Sequence, residues 1–261
     1  MATPHAIILR APGANCDAEA EFAFRQAGAF TERVHINRLR EQPRLLHRYQ
    51  ILCLPGGFTY GDDVAAGKIL ANQLVHFLGD SIRRFRDADK LILGICNGFQ
   101  ALLKAGIIIP SDEDGPLATL TYNASGKFED RWVHLRTISK LSPFLTGIEH
   151  MDLPVAHGEG KLIFREPWIM KGIEQSGQSV LQYASAKQFP AAEVPYPENP
   201  NGSEGNIAGL CDASGRVLGM MPHPERHALP TQHPQWTRRG PAAEGPGLQL
   251  FRNAVQYFSQ N

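Results

Sequence analysis

Cys96 lies in Gly94-Ile95-Cys96-Asn97-Gly98-Phe99-Gln100, between an apolar run and an amphipathic stretch. That order reads as a strand, a tight turn and the start of a helix, with a thiol at the turn. Gly94 and Gly98 allow the sharp bend that lifts a side chain out at the strand's carboxyl end. The open N–H groups and dipole of a helix start favour thiolate there. The backbone N–H of Asn97 would face an oxyanion formed beside the sulfur. Residue type alone leaves a second reading, because cysteine is among the most buried residues and a strand can simply end in one. A nucleophile also needs a base.

His223-Pro224-Glu225-Arg226-His227 comes after an apolar run that predicts a strand, and offers one. In extended backbone, residues two apart face the same way, so Glu225 can lie beside His223, orient its ring and stabilise the imidazolium. With Cys96 this makes a Cys-His-Glu triad whose members meet in space, not in sequence. The same residues also allow a metal site on His223, Glu225 and His227, or plain surface polarity. No neighbouring cysteine or acidic cluster in the sequence strengthens the metal reading, and no metal is expected. Gly56 and Gly57 come after another strand and can bring backbone N–H groups close to a bound oxygen, or form an ordinary turn. Gly61, Gly67 and Lys68 do not make a phosphate loop, since Ile69 stands where Ser or Thr is needed.

These residues need a scaffold, and the pattern supplies one. Short apolar runs alternate with amphipathic stretches: HAIILRA, DAEAEFAFRQAG, TERVHINRL, RYQILCLPGG, a helical stretch over 67–87, and DKLILGIC. This alternation predicts βα units, a mostly parallel sheet and helices on both faces. After about residue 117 come closely spaced extended segments: LATLTYN, RWVHLRTI, LPVAHGEGKLIF, SVLQYAS and NIAGLCDASGRVLGMMP. They read as antiparallel or mixed additions to the same sheet. DASG is a hairpin turn, and 248–258 a closing helix. Loops are expected at 110–116, 189–206 and 229–247. The last two are long enough to serve as substrate lids or partner contacts.

The 261 residues carry 26 Lys plus Arg against 26 Asp plus Glu, so no global field draws nucleic acid or an anionic membrane. The start has a short apolar run only, and nowhere do about 18 apolar residues follow one another. A cytoplasmic chain is expected. Cys16, Cys53, Cys96 and Cys211 form no C-x-x-C pair, which argues against a zinc ribbon or a disulfide framework.

Seven motifs in order, APGANCDAE, PGGFTYGDD, GICNGFQ, AHGEGK, NPNGSEGNIAGL, MPHPERH and GLQLFRN, run nearly end to end. Through them the chain resembles the class I (triad) glutamine amidotransferases. Within that class it is most similar to the glutaminase subunits of phosphoribosylformylglycinamidine synthase. The resemblance implies an α/β, three-layer, flavodoxin-like fold and a single domain over 1–261. It makes Cys96 the nucleophile, His223 the base and later the acid, and Glu225 the orienting carboxylate. The N–H groups of Gly57 and Asn97 become the oxyanion hole. Gln100 and His157-Gly158-Glu159 match positions that hold the α-amino and carboxylate groups of L-glutamine. It further implies no cofactor in this chain, a synthetase partner that uses ATP and Mg²⁺, and a small third subunit.

Trp236, Arg238 and Arg239 in the last loop are expected docking residues. Ala14 departs from the family's usual Ser or Thr, outside the triad. Cys16 falls in a motif with no evident chemistry, and Asn15 or Asp17 is expected to cap the next helix. Two other readings compete: a peptidase-like cysteine hydrolase on the same elbow, which would lack His-x-Glu near the C-terminus, and a non-catalytic interaction module with a vestigial triad.

Overall fold

The computed structural model describes residues 3–185, 194–240 and 242–259. In chain order the elements are β1 (His5–Arg10), α1 (Asp17–Gln26), β2 (Phe30–His35), α2 (Ile36–Glu41), β3 (Ile51–Leu54), α3 (Lys68–Gln73), α4 (Gly79–Asp87), β4 (Leu91–Ile95) and α5 (Asn97–Lys104). Then come β5 (Ala118–Thr121), β6 (Glu129–Thr137), β7 (His150–His157), β8 (Lys161–Phe164), α6 (Pro167–Gln175), β9 (Ser179–Ala184), β10 (Ile207–Cys211), β11 (Val217–Met220), α7 (Trp236–Arg239) and α8 (Leu248–Tyr257).

Nine strands form one sheet in the order β2-β1-β3-β4-β11-β10-β9-β6-β7. From β2 to β11 the neighbours are parallel, and from β11 to β7 they are antiparallel. This is the expected α/β sheet with antiparallel additions from the second half of the chain. β3, β4, β10 and β11 are buried along their whole length, which is why they read as unbroken apolar runs. Such strands need cover on both faces. α1 and α8 form one packed group, with Phe24 edge-on to Phe251 at 4.8 Å between ring centroids. α3 lies on α5, and α5 on β3, β4 and β11.

β11 is the strand that matters most for the site. It comes late in the chain yet inserts at the centre, parallel to β4 with Ile95 opposite Met220, while β3 pairs on β4's other side with Leu54 opposite Gly94. Three parallel strands therefore end side by side. Gly56-Gly57, Cys96 and His223, each just beyond the end of one of these strands, emerge at one edge of the sheet. Ligand sites of open α/β sheets form at that carboxyl edge.

The pattern misread four places. TERVHINRL is a strand only to His35; Ile36 and Leu39 are both buried because the chain turns into α2, whose spacing of three suits a helix. LPVAHGEGKLIF is two strands, broken at Gly158–Gly160. Its second half, β8, pairs with β5 in a separate two-stranded sheet and does not join the large one. Helix α6, opened by Pro167 at its first position, was not anticipated. The helical stretch at 67–87 holds, but with a π-helical turn at Leu74–Leu78 between α3 and α4. Of the 189–206 loop, 189–193 lie outside the described residues. The rest is no open lid: Asn201 is fully buried, donates to the Tyr183 hydroxyl at 2.9 Å and shares its Oδ1 with Ser203, whose Oγ accepts from Leu162 N–H at 3.0 Å.

α5 sits so close to its strands that only glycine fits between. A Cβ on Gly98 would lie 2.0 Å from the Leu54 carbonyl oxygen, and one on Gly219 of β11 would lie 2.1 Å from Phe99 Cδ2. Gly98→Ala must push the helix off β3, an overpacking that costs about 1–3 kcal/mol or more. A chemical-denaturation midpoint lowered accordingly is the expected result.

Candidate active site

Cys96 has φ +50° and ψ −106°, a conformation that non-glycine residues rarely adopt and that the surroundings must enforce. Its N–H donates to the Met220 carbonyl at 2.7 Å and its carbonyl accepts from Gln100 N–H at 3.0 Å, so the elbow is pinned to β11 on one side and opens α5 on the other. The side chain stands at the helix start, as the glycine spacing predicted.

His223 lies just past β11, and its Nδ1–H donates to Glu225 Oε1 at 2.6 Å, with both side chains buried. The pairing is the expected one, reached by a different route. Glu225 lies in the first turn of a short 3₁₀ helix, Pro224–His227, not in extended backbone. With Nδ1 committed to Glu225, Nε2 is the ring nitrogen left for chemistry. A Cβ on Gly56 would lie 2.7 Å from His223 Cε1 and 3.4 Å from Cys96 Cβ, so imidazole and elbow meet over this glycine. Burial alone would lower the His223 pKa, but the Glu225 carboxylate, helped by Cys96, raises it well above the usual value. The Glu225 carboxylate thus favours the protonated ring.

Gly57 has φ +135°, and a Cβ there would lie 2.6 Å from Asn15 N and 2.7 Å from the Gly13 carbonyl. Only glycine fits. The Asn97 side chain ties this turn to the elbow: Oδ1 accepts from Thr59 N–H at 3.3 Å and from its hydroxyl, while Nδ2 donates to Asp62 Oδ1 at 3.1 Å and Gln100 Oε1 at 3.0 Å.

The roof comes from β7. Cys96 Sγ–H points at the Ala156 carbonyl at 3.8 Å, His223 N–H donates to Pro154 at 2.9 Å, and His227 Nδ1–H donates to Asp152 at 2.6 Å. Carbonyls of three alternate residues on the free side of an edge strand thus face the Cys-His-Glu segment. They also bring His157-Gly158-Glu159 next to Cys96. His157 is buried, its Nδ1 lies 3.1 Å from Asn123 Oδ1, and burial and the His223 charge push its pKa down to about 3. Gln100 Nε2 donates to the Glu159 carbonyl, so both ends of that amide are engaged within the protein. Glu159 Oε2 accepts from Ala66 N–H at 3.2 Å and lies 3.9 Å from Lys104 Nζ.

His227 does not join His223 and Glu225 as the metal reading required; it is turned to Asp152 and packs against Trp132. The third group beside the pair is instead Cys16, with ligand atoms of all three within 4.8 Å of one another. Cys16 itself occupies the cap position of α1, where no side chain caps the helix; Asp17 is engaged with Arg10 at 2.8 Å and Arg33 at 3.3 Å. The expected cap by Asn15 or Asp17 is therefore not formed.

Nearly the whole chain matches one family. A model of the CobB/CobQ-like glutamine amidotransferase domain covers residues 3–258. The chain belongs to this family of glutamine amidotransferases. It is 46% identical, over the full length of both chains, to phosphoribosylformylglycinamidine synthase subunit PurQ of Dehalococcoides mccartyi. It is 37% identical to the PurQ subunit of Methanococcus maripaludis, over 98% of each chain. A chain in the PurLQS structure of Thermotoga maritima superposes with a TM-score of 0.75 at 29% identity, covering 98% of this chain and all of that one.

Asp62 is an ionisable group of this amidotransferase that the sequence did not single out. It closes a run of three left-handed residues, Tyr60, Gly61 and Asp62. Burial and then the Glu159 carboxylate raise its pKa to about 6, against the Asn97 hydrogen bond. The folded-state value lies above the unfolded one, so the ionised carboxylate destabilises the fold as pH rises from about 4 through 6. Asp62→Asn, which keeps the acceptor for Asn97, is expected to gain about 1 kcal/mol above pH 7 after allowance for solvent screening, and nothing near pH 4. Thermal melts at the two pH values check this.

Proposed function

We propose that this amidotransferase is the glutaminase subunit of a phosphoribosylformylglycinamidine synthase. It hydrolyses L-glutamine to glutamate and ammonia and passes the ammonia to a synthetase subunit that makes formylglycinamidine ribonucleotide in purine biosynthesis. The observation that carries the reading is the 2.6 Å His223–Glu225 pair meeting the strained Cys96 elbow over Gly56. The full-length similarity to PurQ subunits supports the acceptor.

In this mechanism the Cys96 thiolate attacks the side-chain amide carbon of glutamine, and the N–H groups of Gly57 and Asn97 stabilise the oxyanion. His223 gives its Nε2 proton to the departing ammonia, which leaves a γ-glutamyl thioester on Cys96. The same nitrogen, now neutral, takes a proton from water, whose oxygen attacks the thioester carbon; the C–S bond breaks, glutamate leaves with its new carboxyl proton lost to solvent, and the Cys96 thiolate beside protonated His223 is restored. Glu225 keeps the ring in the tautomer and orientation both steps need. Gln100, His157, Gly158 and Glu159 hold the amino-acid end of the substrate. His157, neutral above about pH 3, serves there as a hydrogen-bonding group and not as a charge.

Cys96 is 4% exposed and His223 1%. Such a closed site suits a subunit whose product must not be protonated by solvent before it reaches its acceptor. Similarity to the PurLQS chain supports work within a multi-subunit assembly. The synthetase partner, which supplies ATP and Mg²⁺ chemistry, and a small third subunit complete it. At the proposed docking loop, Trp236 is 48% exposed, whereas Arg239 turns to Asp152 at 2.7 Å. No helix among the described residues is long and apolar enough to cross a membrane, in keeping with a cytoplasmic enzyme.

In the assembled complex, Cys96→Ala is expected to lose glutamine-dependent product formation by on the order of 10³-fold or more and to keep ammonium-dependent formation. Equal loss with both nitrogen sources would overturn the assignment. Glu225→Gln is expected to lower kcat about 10²-fold or more, with KM for glutamine changed by less than about threefold. Steady-state kinetics with varied glutamine give both values.

A further inference from the structure

Cys16 is the buried thiol that the mechanism leaves unused, and it stands against the catalytic base. A Cβ on Gly56 would touch Cys16 Sγ at 3.3 Å on one side and His223 Cε1 at 2.7 Å on the other. The hydrogen bonds around the sulfur have a direction. Its S–H donates to Asn15 Oδ1 at 3.3 Å, and it accepts from Arg226 Nη2 at 3.1 Å. Arg226 is in turn held by Glu19 at 3.1 Å. With the proton turned to Asn15, the sulfur has only lone pairs to offer its other neighbours.

We infer that Cys16 is a positioning residue for His223: its sulfur acts as an acceptor beside the imidazolium and holds the ring, protonated, toward Cys96. The inference rests on the catalytic reading of Cys96 and His223 given above. Among the described residues, the charged and titratable groups around the ring are Glu225 on its own segment, Cys96 on the elbow, His157 at the end of β7 and Cys16 at the start of α1; Arg226 acts on Cys16 and Glu225, and Cys53 of β3 lies near the same two. Burial keeps the Cys16 thiol above its ordinary pKa despite the His223 charge, so it serves as a neutral sulfur and does not compete with Cys96 as a nucleophile. The backbone of Cys16 adds to this role, since its N–H donates to the Gly56 carbonyl at 3.3 Å and so fastens the Gly56-Gly57 turn to the same point.

Among the described residues His223 Nε2 makes no hydrogen bond, and the Cys16 sulfur lies within 4.8 Å of the ring's ligand atom; a lone pair held that close to an imidazolium favours the charged form. Losing this acceptor lowers the pH at which His223 gives up its proton, and with it the alkaline limb of glutamine-dependent kcat. Three variants in the assembled complex separate acceptor from volume. Cys16→Ser keeps an acceptor and is expected to hold the wild-type limb. Cys16→Val fills the space without a lone pair and is expected to move the limb down by about one pH unit. Asn15→Ala, at an exposed position, frees the S–H to turn toward the ring and is expected to shift the limb the same way. Ammonium-dependent activity serves as the control for assembly.

A Val variant with the wild-type limb, or a Ser variant displaced as far as Val, overturns the inference. If Val does not fold, Asn15→Ala decides: a limb at the wild-type pH overturns it. An unmoved limb beside a glutamine-dead Cys96→Ala removes only the part given to Cys16, whereas a glutamine-active Cys96→Ala removes the catalytic reading itself.

Discussion

The parallel alignment of β3, β4 and β11 is the constraint on which the rest depends. Parallel neighbours in register bring their carboxyl ends to one line, and the chain uses that line three times. Because β11 arrives from more than a hundred residues downstream, Cys96 and His223 can meet only after the sheet has closed around it. The close seat of α5, with Gly98 against the Leu54 carbonyl and Phe99 over Gly219, then fixes how Cys96 is presented. A helix so near its sheet cannot rotate, and the left-handed backbone of Cys96 is enforced by that packing.

The electrostatics are arranged around a buried ion pair. A carboxylate out of water is costly unless a partner holds it, and the 2.6 Å contact with the His223 ring, whose protonated form it favours, meets that condition. Removing either partner would leave the other charge buried and alone. A few residues away the logic reverses: Asp62 is lifted toward neutrality, first by burial and then by the neighbouring Glu159 carboxylate. Asn97, the first residue of α5, is in contact with the second of these environments through its amide.

Much of the site was legible from sequence because its signals are local. Cys96 between two glycines after an apolar run, and His223 two residues before Glu225, each carry their meaning within a few positions. The parallel half was legible for the same reason, since each βα unit is contiguous. The misread parts depend on distant contacts. β8 leaves the main sheet because of where β5 lies, and nothing in Lys161–Phe164 itself says so. His227 has the right spacing for a ligand but turns to the Asp152 carbonyl. Cys16 looks inert in its own motif, and its meaning comes from Arg226 and His223, more than two hundred residues away.

The carbonyls of Asp152, Pro154 and Ala156 have a further consequence. β7 ends the large sheet, and an unpaired strand edge invites another chain to pair with it. Here part of that edge is covered by the segment that carries His223 and Glu225. The segment that carries His223 and Glu225 is thus also a guard against self-association. A change that displaces residues 223–227 uncovers backbone acceptors as it breaks the His223–Glu225 pair, so solubility and the geometry of the site are tied to the same short stretch of chain.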